Sequence, residues 1–325
     1  MPFYKIGTIG DKADAYISKK LFEEYKQRYN YPKCGEVMIT CAGTVGKTIL
    51  YNGQDAYYQD SNIVWISNPR KIYSNEFLNY LLNRVDWSKL NSTTITRIYN
   101  DNLRELHITF PSREEQDKIV SLLTRIDDRI DTQSKIIEEQ ETFLKSLADK
   151  LFLQNNHSCQ LSEIVNIVKG KQLNADTLSE TGDYYVMNGG ITPSGYYSEY
   201  NVPAGAISIS EGGNSCGYVQ FNEKPFWSGG HCYSLQYRTN LVDYKYIYYY
   251  LKTKEADVMA LRIGSGLPNI QKKDIEKFTI SYPSLQLQKQ FVKALDALSG
   301  KINTEKYLLE KYCQQKSYLL SQMFI

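Results

Sequence analysis

Long apolar runs are missing from this chain of 325 residues; none approaches the length of a membrane-spanning helix, and the polar, tyrosine-rich start does not read as a secretory leader. No membrane partner is expected. The nine prolines include no Pro-Pro pair, so the Asn-Pro-Pro-Tyr or Asp-Pro-Pro-Tyr tetrapeptide needed for amino-group methyl transfer is absent. Only three histidines occur, His107, His157 and His231, none at ligand spacing from a cysteine or carboxylate, which argues against a metal site. Six cysteines at 34, 41, 159, 216, 232 and 313 form no Cys-x-x-Cys pair and read as reduced, packed thiols of a cytoplasmic protein. Charge of one sign is also lacking. The net charge is +2, and residues 1–111, 112–154, 155–283 and 284–325 carry +3, −3, −1 and +3, so composition alone does not announce a polyanion partner.

Two catalytic patterns come close and fall short. Gly43-Thr44-Val45-Gly46-Lys47-Thr48 resembles the end of a phosphate-binding loop, but Cys41 stands where the first glycine of that loop belongs. The stretch reads instead as a turn between strands, with Thr44 and Lys47 available to a polyanion. Gly264-Ser265-Gly266 has no histidine near it in sequence, so a nucleophilic serine is not supported there.

What is present is a repeat. Residues 110–152, beginning Phe110-Pro111-Ser112, recur without a gap 172 positions later from Tyr282-Pro283-Ser284 to Phe324, pairing Gln116 with Gln288, Val120 with Val292 and Phe152 with Phe324. After its proline the first copy has no glycine or proline through Gln154 and reads as one helix of roughly 40 residues, about 60 Å long. Ile119, Leu123, Ile126, Ile130, Ile137, Leu144, Leu147 and Leu151 follow steps of four and three, with Gln133 and Gln140 as polar interruptions. The second seam holds Phe291, Leu295, Leu298, Ile302, Leu309, Leu319 and Met323, with Glu305 at the place of Gln133. Two such seams form an antiparallel coiled coil within the chain, or else a coiled coil between two chains. A pseudo-two-fold axis would relate the halves.

The preceding segments correspond more loosely. Residues 35–40 match 205–210 as a buried strand leading to a glycine turn, residues 77–81 match 247–251 as a short helix, and residues 98–106 match 270–278. Leu161-Ser162-Glu163-Ile164, with Lys169-Gly170-Lys171 following, has no earlier counterpart, so the first module is expected to lack an opening of roughly 25 residues, through natural shortness, a trimmed chain or a late start codon. The fold class is α+β: two mixed α/β modules over residues 1–110 and 155–283, joined by spacer helices at 111–154 and 284–325. The 28 tyrosines, clustered at 57–58, 184–185, 196–197 and 248–250, supply flat area with a polar tip for packing or for contact with bases or protein.

Taken together, Ile108-Thr109-Phe110-Pro111-Ser112 followed by Gln116-Asp117-Lys118-Ile119-Val120, the second version Ile280-Ser281-Tyr282-Pro283-Ser284 with Gln288-Lys289-Gln290-Phe291-Val292, and the helix ends Lys145–Phe152 and Lys316–Phe324 resemble the specificity subunit of type I restriction-modification enzymes over the whole chain. The resemblance implies two target-recognition domains, each reading half of a split sequence in double-stranded DNA, with the helices as spacer, so that adding or removing a heptad would change the gap and not the half-sites. It further implies two modification subunits that bind S-adenosylmethionine and methylate flipped adenines, and restriction subunits that join them. No cofactor and no catalysis are then expected in this chain. Side chains suited to base edges on loops are Thr44, Lys47, Gln59, Ser61, Asn62, Thr94, Thr96 and Arg97 in the first module, and Lys169, Lys171, Gln172, Asn214, Ser215, His231, Ser265 and Asn269 in the second. The other reading is a coiled-coil scaffold whose two heads bind proteins and read no DNA.

Overall fold

The computed structural model describes residues 1–58, 62–90, 97–153, 156–264 and 266–324. It divides into two compact units: Met1–Ser134 with Tyr307–Ile325, and Lys135–Lys306. The division falls inside both long helices, so each unit contains one head and one stretch of each helix.

In chain order the first head holds β1 (Pro2–Phe3), β2 (Ala15–Tyr16), α1 (Lys19–Arg28), β3 (Val37–Thr40), β4 (Thr48–Leu50), β5 (Ile63–Ile66), α2 (Asn75–Arg84) and α3 (Asn100–Arg104). β3 is central, antiparallel to β4 on one side and β5 on the other. Its four residues are all buried because both faces are covered: Val37 and Ile39 pack with Leu78 and Leu82 of α2, and Met38 packs with Ile9, Tyr51 and Ile63. The turn after β3 runs into strand β4 rather than a helix, which removes the strand–loop–helix context that a phosphate-binding loop requires.

α4 (Arg113–Phe152) follows. Its start is written in the sequence: the Ser112 hydroxyl accepts from Glu115 N–H while the Glu115 carboxylate accepts from Ser112 N–H, a reciprocal cap, and Glu114–Lys118 and Arg113–Asp117 add pairs one turn apart.

The second head holds β6 (His157–Gln160), α5 (Leu161–Ile164), β7 (Val165–Lys169), β8 (Tyr184–Met187), β9 (Tyr196–Tyr197), β10 (Ala206–Ser210), β11 (Val219–Asn222), β12 (Trp227–Ser228), β13 (Cys232–Tyr237), α6 (Tyr244–Thr253), α7 (Glu255–Ala260), α8 (Lys272–Glu276) and β14 (Thr279–Tyr282). The main sheet has the order β11-β10-β13-β7, with a second sheet β12-β8-β9 and the pair β14-β6. The final helix is α9 (Leu285–Met323).

Within each unit the long-helix segments run antiparallel. In the first, Asp127 meets Lys316 at 2.6 Å and Arg129 lies over the Tyr312 ring. In the second, Glu141 meets Lys306 at 2.6 Å, and farther along α4 Ala148 shares a core with Phe291 and Leu295. All eighteen of these seam positions, from Ile119 to Leu151 and from Phe291 to Met323, are buried or half-buried, including Gln133 and Glu305. The repeat extends to how each head is held. Phe152, at the end of α4, packs on Tyr246 and Tyr250 of α6; its counterpart Phe324, at the end of α9, packs on Phe77 of α2.

One difference separates the heads. In the second unit β7 pairs with β13 over five residues and β6 pairs with β14, burying Leu161, Ile164, Val165 and Ile167. Among the described residues of the first unit no strand pairs with the outer edge of β5, and residues 108–110 have no strand partner. Beside them lies a cavity of about 830 Å³ lined by Phe77, Leu81, Ile108, Phe110, Ile119 and Phe324.

Candidate nucleic-acid interface

In the second unit the loops that follow several strands come together at one place, and Glu211 is its centre. Glu211 follows β10 directly. Its N–H donates to His231 O at 2.9 Å and its carbonyl accepts from Ile270 N–H at 2.8 Å, which ties the β10–β11 turn to the β12–β13 loop and to the segment before α8. Asn188 Oδ1 accepts from His231 N–H at 3.2 Å, and Gly189 O accepts from the Ser210 hydroxyl at 2.6 Å, which brings in the loop after β8. The loop after β7 joins through Gly170 N–H to Cys232 O and Lys171 N–H to Ser228 O. A side chain at Gly170 would put Cβ 2.2 Å from Gly229 O, so the two loops touch backbone to backbone.

This gathers most of the second predicted set. Lys169, Lys171, Gln172, Asn214, His231 and Asn269 are exposed and Ser215 is half-buried around the cluster, with Asn269 bridged to Gly212. Ser265 lies outside the described residues. Gly213-Asn214-Ser215-Cys216-Gly217 fits the Gly-x-Ser-x-Gly pattern, a match the sequence reading passed over. A nucleophile elbow turns from strand into helix, whereas this turn leads into β11, so the pattern does not make a catalytic serine here.

The first unit builds the same frame with other side chains. Cys41 N–H donates to Asn62 O at 2.6 Å and Cys41 O accepts from Ile98 N–H at 2.9 Å. Cys41 therefore occupies the backbone position of Glu211, Asn62 that of His231, and Arg97, preceding Ile98, that of Asn269. Thr44 is exposed on the β3–β4 turn, where its carbonyl accepts from the Thr40 hydroxyl. Lys47 is half-buried and pairs with Asp11 at 3.1 Å, so part of its charge is already matched. Gln59, Ser61, Thr94 and Thr96 lie outside the described residues.

Electrostatically the two frames differ. Glu211 is 4% exposed, yet its Oε1 accepts from Lys169 Nζ at 2.6 Å and from the Tyr233 hydroxyl at 2.8 Å. Burial, reinforced by that carboxylate, holds the Tyr233 hydroxyl well above its ordinary pKa, so it stays a donor. Burial likewise raises the Cys41 thiol, against the opposing pull of Arg97. Glu211 is the residue of this cluster that the sequence did not single out. Among the described residues no group of His, Cys, Asp and Glu could hold a metal ion, and no helix is long and apolar enough to cross a membrane.

The comparisons with known proteins follow the same repeat. The type I restriction modification DNA specificity domain matches twice, over residues 1–142 and 155–311. A putative type I restriction enzyme specificity subunit of Haemophilus influenzae is 46% identical over 139 residues, which cover 43% of this chain and 35% of that protein. A putative type I specificity subunit of Mycoplasma genitalium is 28% identical over 249 residues, 71% of this chain and 65% of the relative. The aligned parts thus span about a third and just under two thirds of these curated relatives. The crystal structure of a type I restriction-modification S subunit from M. genitalium shares the fold, with a TM-score of 0.68 at 24% identity over 92% of this chain and 85% of that one. This chain belongs to the type I restriction modification DNA specificity domain family.

Proposed function

We propose that the chain is a non-catalytic specificity subunit that reads a split sequence in double-stranded DNA, one half-site with each head. The observation that carries the reading is the duplicated frame: two heads of one repeat place different polar side chains, Asn62 and Arg97 in one and His231 and Asn269 in the other, on matching backbone positions. Two such readers on one chain suit two unlike half-sites, and the heptad-patterned helices that join them suit a fixed gap. On this reading the chemistry belongs to partners. Two modification subunits would bind S-adenosylmethionine and methylate the DNA in the cytoplasm, and restriction subunits would join that complex.

The test is selection from a random duplex library by the chain assembled with its modification subunits, followed by methylome sequencing of a host expressing them. Enrichment of two short motifs at one constant separation is expected. Enrichment of no split motif would refute the reading and favour a scaffold whose heads bind proteins.

A further inference from the structure

Glu211 uses its two carboxylate oxygens unequally. Oε1 accepts from Lys169 Nζ at 2.6 Å and from the Tyr233 hydroxyl at 2.8 Å. Oε2 is buried and has no hydrogen-bond partner among the described residues. A carboxylate oxygen shielded from water and left unmatched is costly, so a donor within reach is drawn to it. His231 Nδ1 stands 3.6 Å away. That is beyond hydrogen-bond length, and the imidazole is 63% exposed, which leaves the ring room to turn toward Oε2. A carboxylate facing Nδ1 fixes the proton of a neutral imidazole on that nitrogen and leaves the opposite nitrogen, Nε2, as a bare acceptor.

We propose that Glu211 is a positioning residue of the second head's reading surface, holding His231 as the Nδ1–H tautomer so that Nε2 accepts from the exocyclic amino group of a base, adenine N6 or cytosine N4, in the major groove. The amino groups of adenine and cytosine are the donors that groove displays. Lys169 is fixed beside His231 by the same carboxylate, which occupies one of its three N–H donors and leaves the others for phosphate. The first unit has Cys41 at this backbone position, so the device belongs to one half-site alone. The inference rests on the DNA reading above.

The experiment compares library selections by the assembled complex carrying the wild-type chain, Glu211→Gln or His231→Ala. In Glu211→Gln the amide still accepts from Tyr233 but no longer prescribes the His231 tautomer. One base pair of the second half-site is expected to lose its preference for a strand bearing adenine or cytosine, by about tenfold, equally in both variants, while the first half-site stays unchanged. Should Glu211→Gln fail to fold, the exposed His231→Ala decides alone. A wild-type split motif with an unaltered second half-site in the folded variants overturns this inference and leaves the DNA reading standing. Loss of preference spread evenly over both half-sites also overturns it, because the residue would then act on overall stability. No motif even for the wild-type chain overturns both.

Discussion

Truncating Gln288 tests how a head is fastened to its helix. Gln288 is fully buried in the first turn of α9; its Oε1 accepts from Asp243 N–H at 2.7 Å and its Nε2 donates to Pro283 O at 2.8 Å. Asp243 is the N-cap of α6, so one amide side chain joins the start of the spacer to the start of the head's main helix. Gln288→Ala leaves the half-buried Asp243 N–H and the buried Pro283 carbonyl unmatched, at about 1–3 kcal/mol each, for a total of about 2–6 kcal/mol. For a unit of this size each kcal/mol moves the midpoint by about 2–4 °C, so a fall of about 4–24 °C is expected by calorimetry. Gln288→Leu fills the space but strands the same two groups and is expected to fall in the same range. Gln288→Glu can still accept from Asp243 N–H, yet once ionised it has no proton for Pro283 O. Burial would raise that carboxyl above its unfolded value, so its deficit is smallest at acid pH and grows as pH rises through the folded-state pKa. Gln116 repeats the arrangement, accepting from Ser74 N–H at 2.8 Å and donating to Pro111 O at 3.0 Å, so Gln116→Ala should cost as much and add to Gln288→Ala, since the two share no partner. A Gln288→Ala midpoint within about 1 °C of the parent would refute this reasoning.

Three further outcomes are expected. Asp296 accepts from the Tyr249 hydroxyl at 2.7 Å and from Lys245 at 2.9 Å, but the ion pair is more than a third exposed; urea midpoints should therefore show Asp296→Ala losing about 1–2 kcal/mol and Asp296→Asn, which keeps an acceptor for the tyrosine, much less. Equal losses would mean that the charge and not the hydroxyl's acceptor matters. Burial pushes the Cys232 thiol to about 11, so at pH 8 roughly one molecule in a thousand carries the thiolate, and timed alkylation read by mass spectrometry should label the exposed Cys34 and Cys313 long before Cys232. Early labelling of Cys232 would contradict the packing around it. Amides of β5, paired on one side only among the described residues, should exchange at least tenfold faster than those of β13, paired on both; equal protection of the two strands would show that the β5 edge is covered.

The long helices were legible because their signals are local and periodic: a stretch without glycine or proline in the first, and steps of four and three in both, leave the seam residues buried or half-buried. The strand–turn–strand reading of residues 37–50 was legible too, because β3 is covered on both faces and its Val37, Met38 and Ile39 form an apolar run before the glycine turn. The candidate interface was only half legible. Polar residues on loops can be chosen by type, but which loops meet is fixed by long-range bonds such as Ile270 N–H to Glu211 O, and these leave no trace in the spacing. Glu211 was missed for a related reason. Its importance lies in being buried beneath Lys169 and His231, and nothing local in the sequence marks a carboxylate as buried.

The duplicated frame explains how two heads can share a fold and differ in what they touch. In the first, Gly46 N–H donates to Thr40 O and Thr40 N–H to Lys47 O; in the second, Gly217 N–H donates to Ser210 O and Ser210 N–H to Tyr218 O. Both turns also need their glycine for space as well as for positive φ, since a Cβ at Gly46 would strike the Trp87 ring and one at Gly217 the backbone of Met259. These bonds, with those of Cys41 and Glu211, run from backbone to backbone and place no demand on the side chains at 41, 62 and 97 or at 211, 231 and 269. The same backbone frame thus carries a cysteine in one head and a glutamate in the other, each with its own buried surroundings: Cys41 packs with Val37 and Ile39, and Glu211 accepts from Lys169 and Tyr233. Grafting the second unit's pair onto the first, as Cys41→Glu with Asn62→His, sets a carboxylate at a buried place where Val64 stands in the register of Tyr233, so the thermal midpoint is expected to fall, by about 2–4 °C for each kcal/mol that the unmatched carboxylate costs. An unchanged midpoint in that variant would refute this, because the carboxylate would then have found water or a donor at position 41.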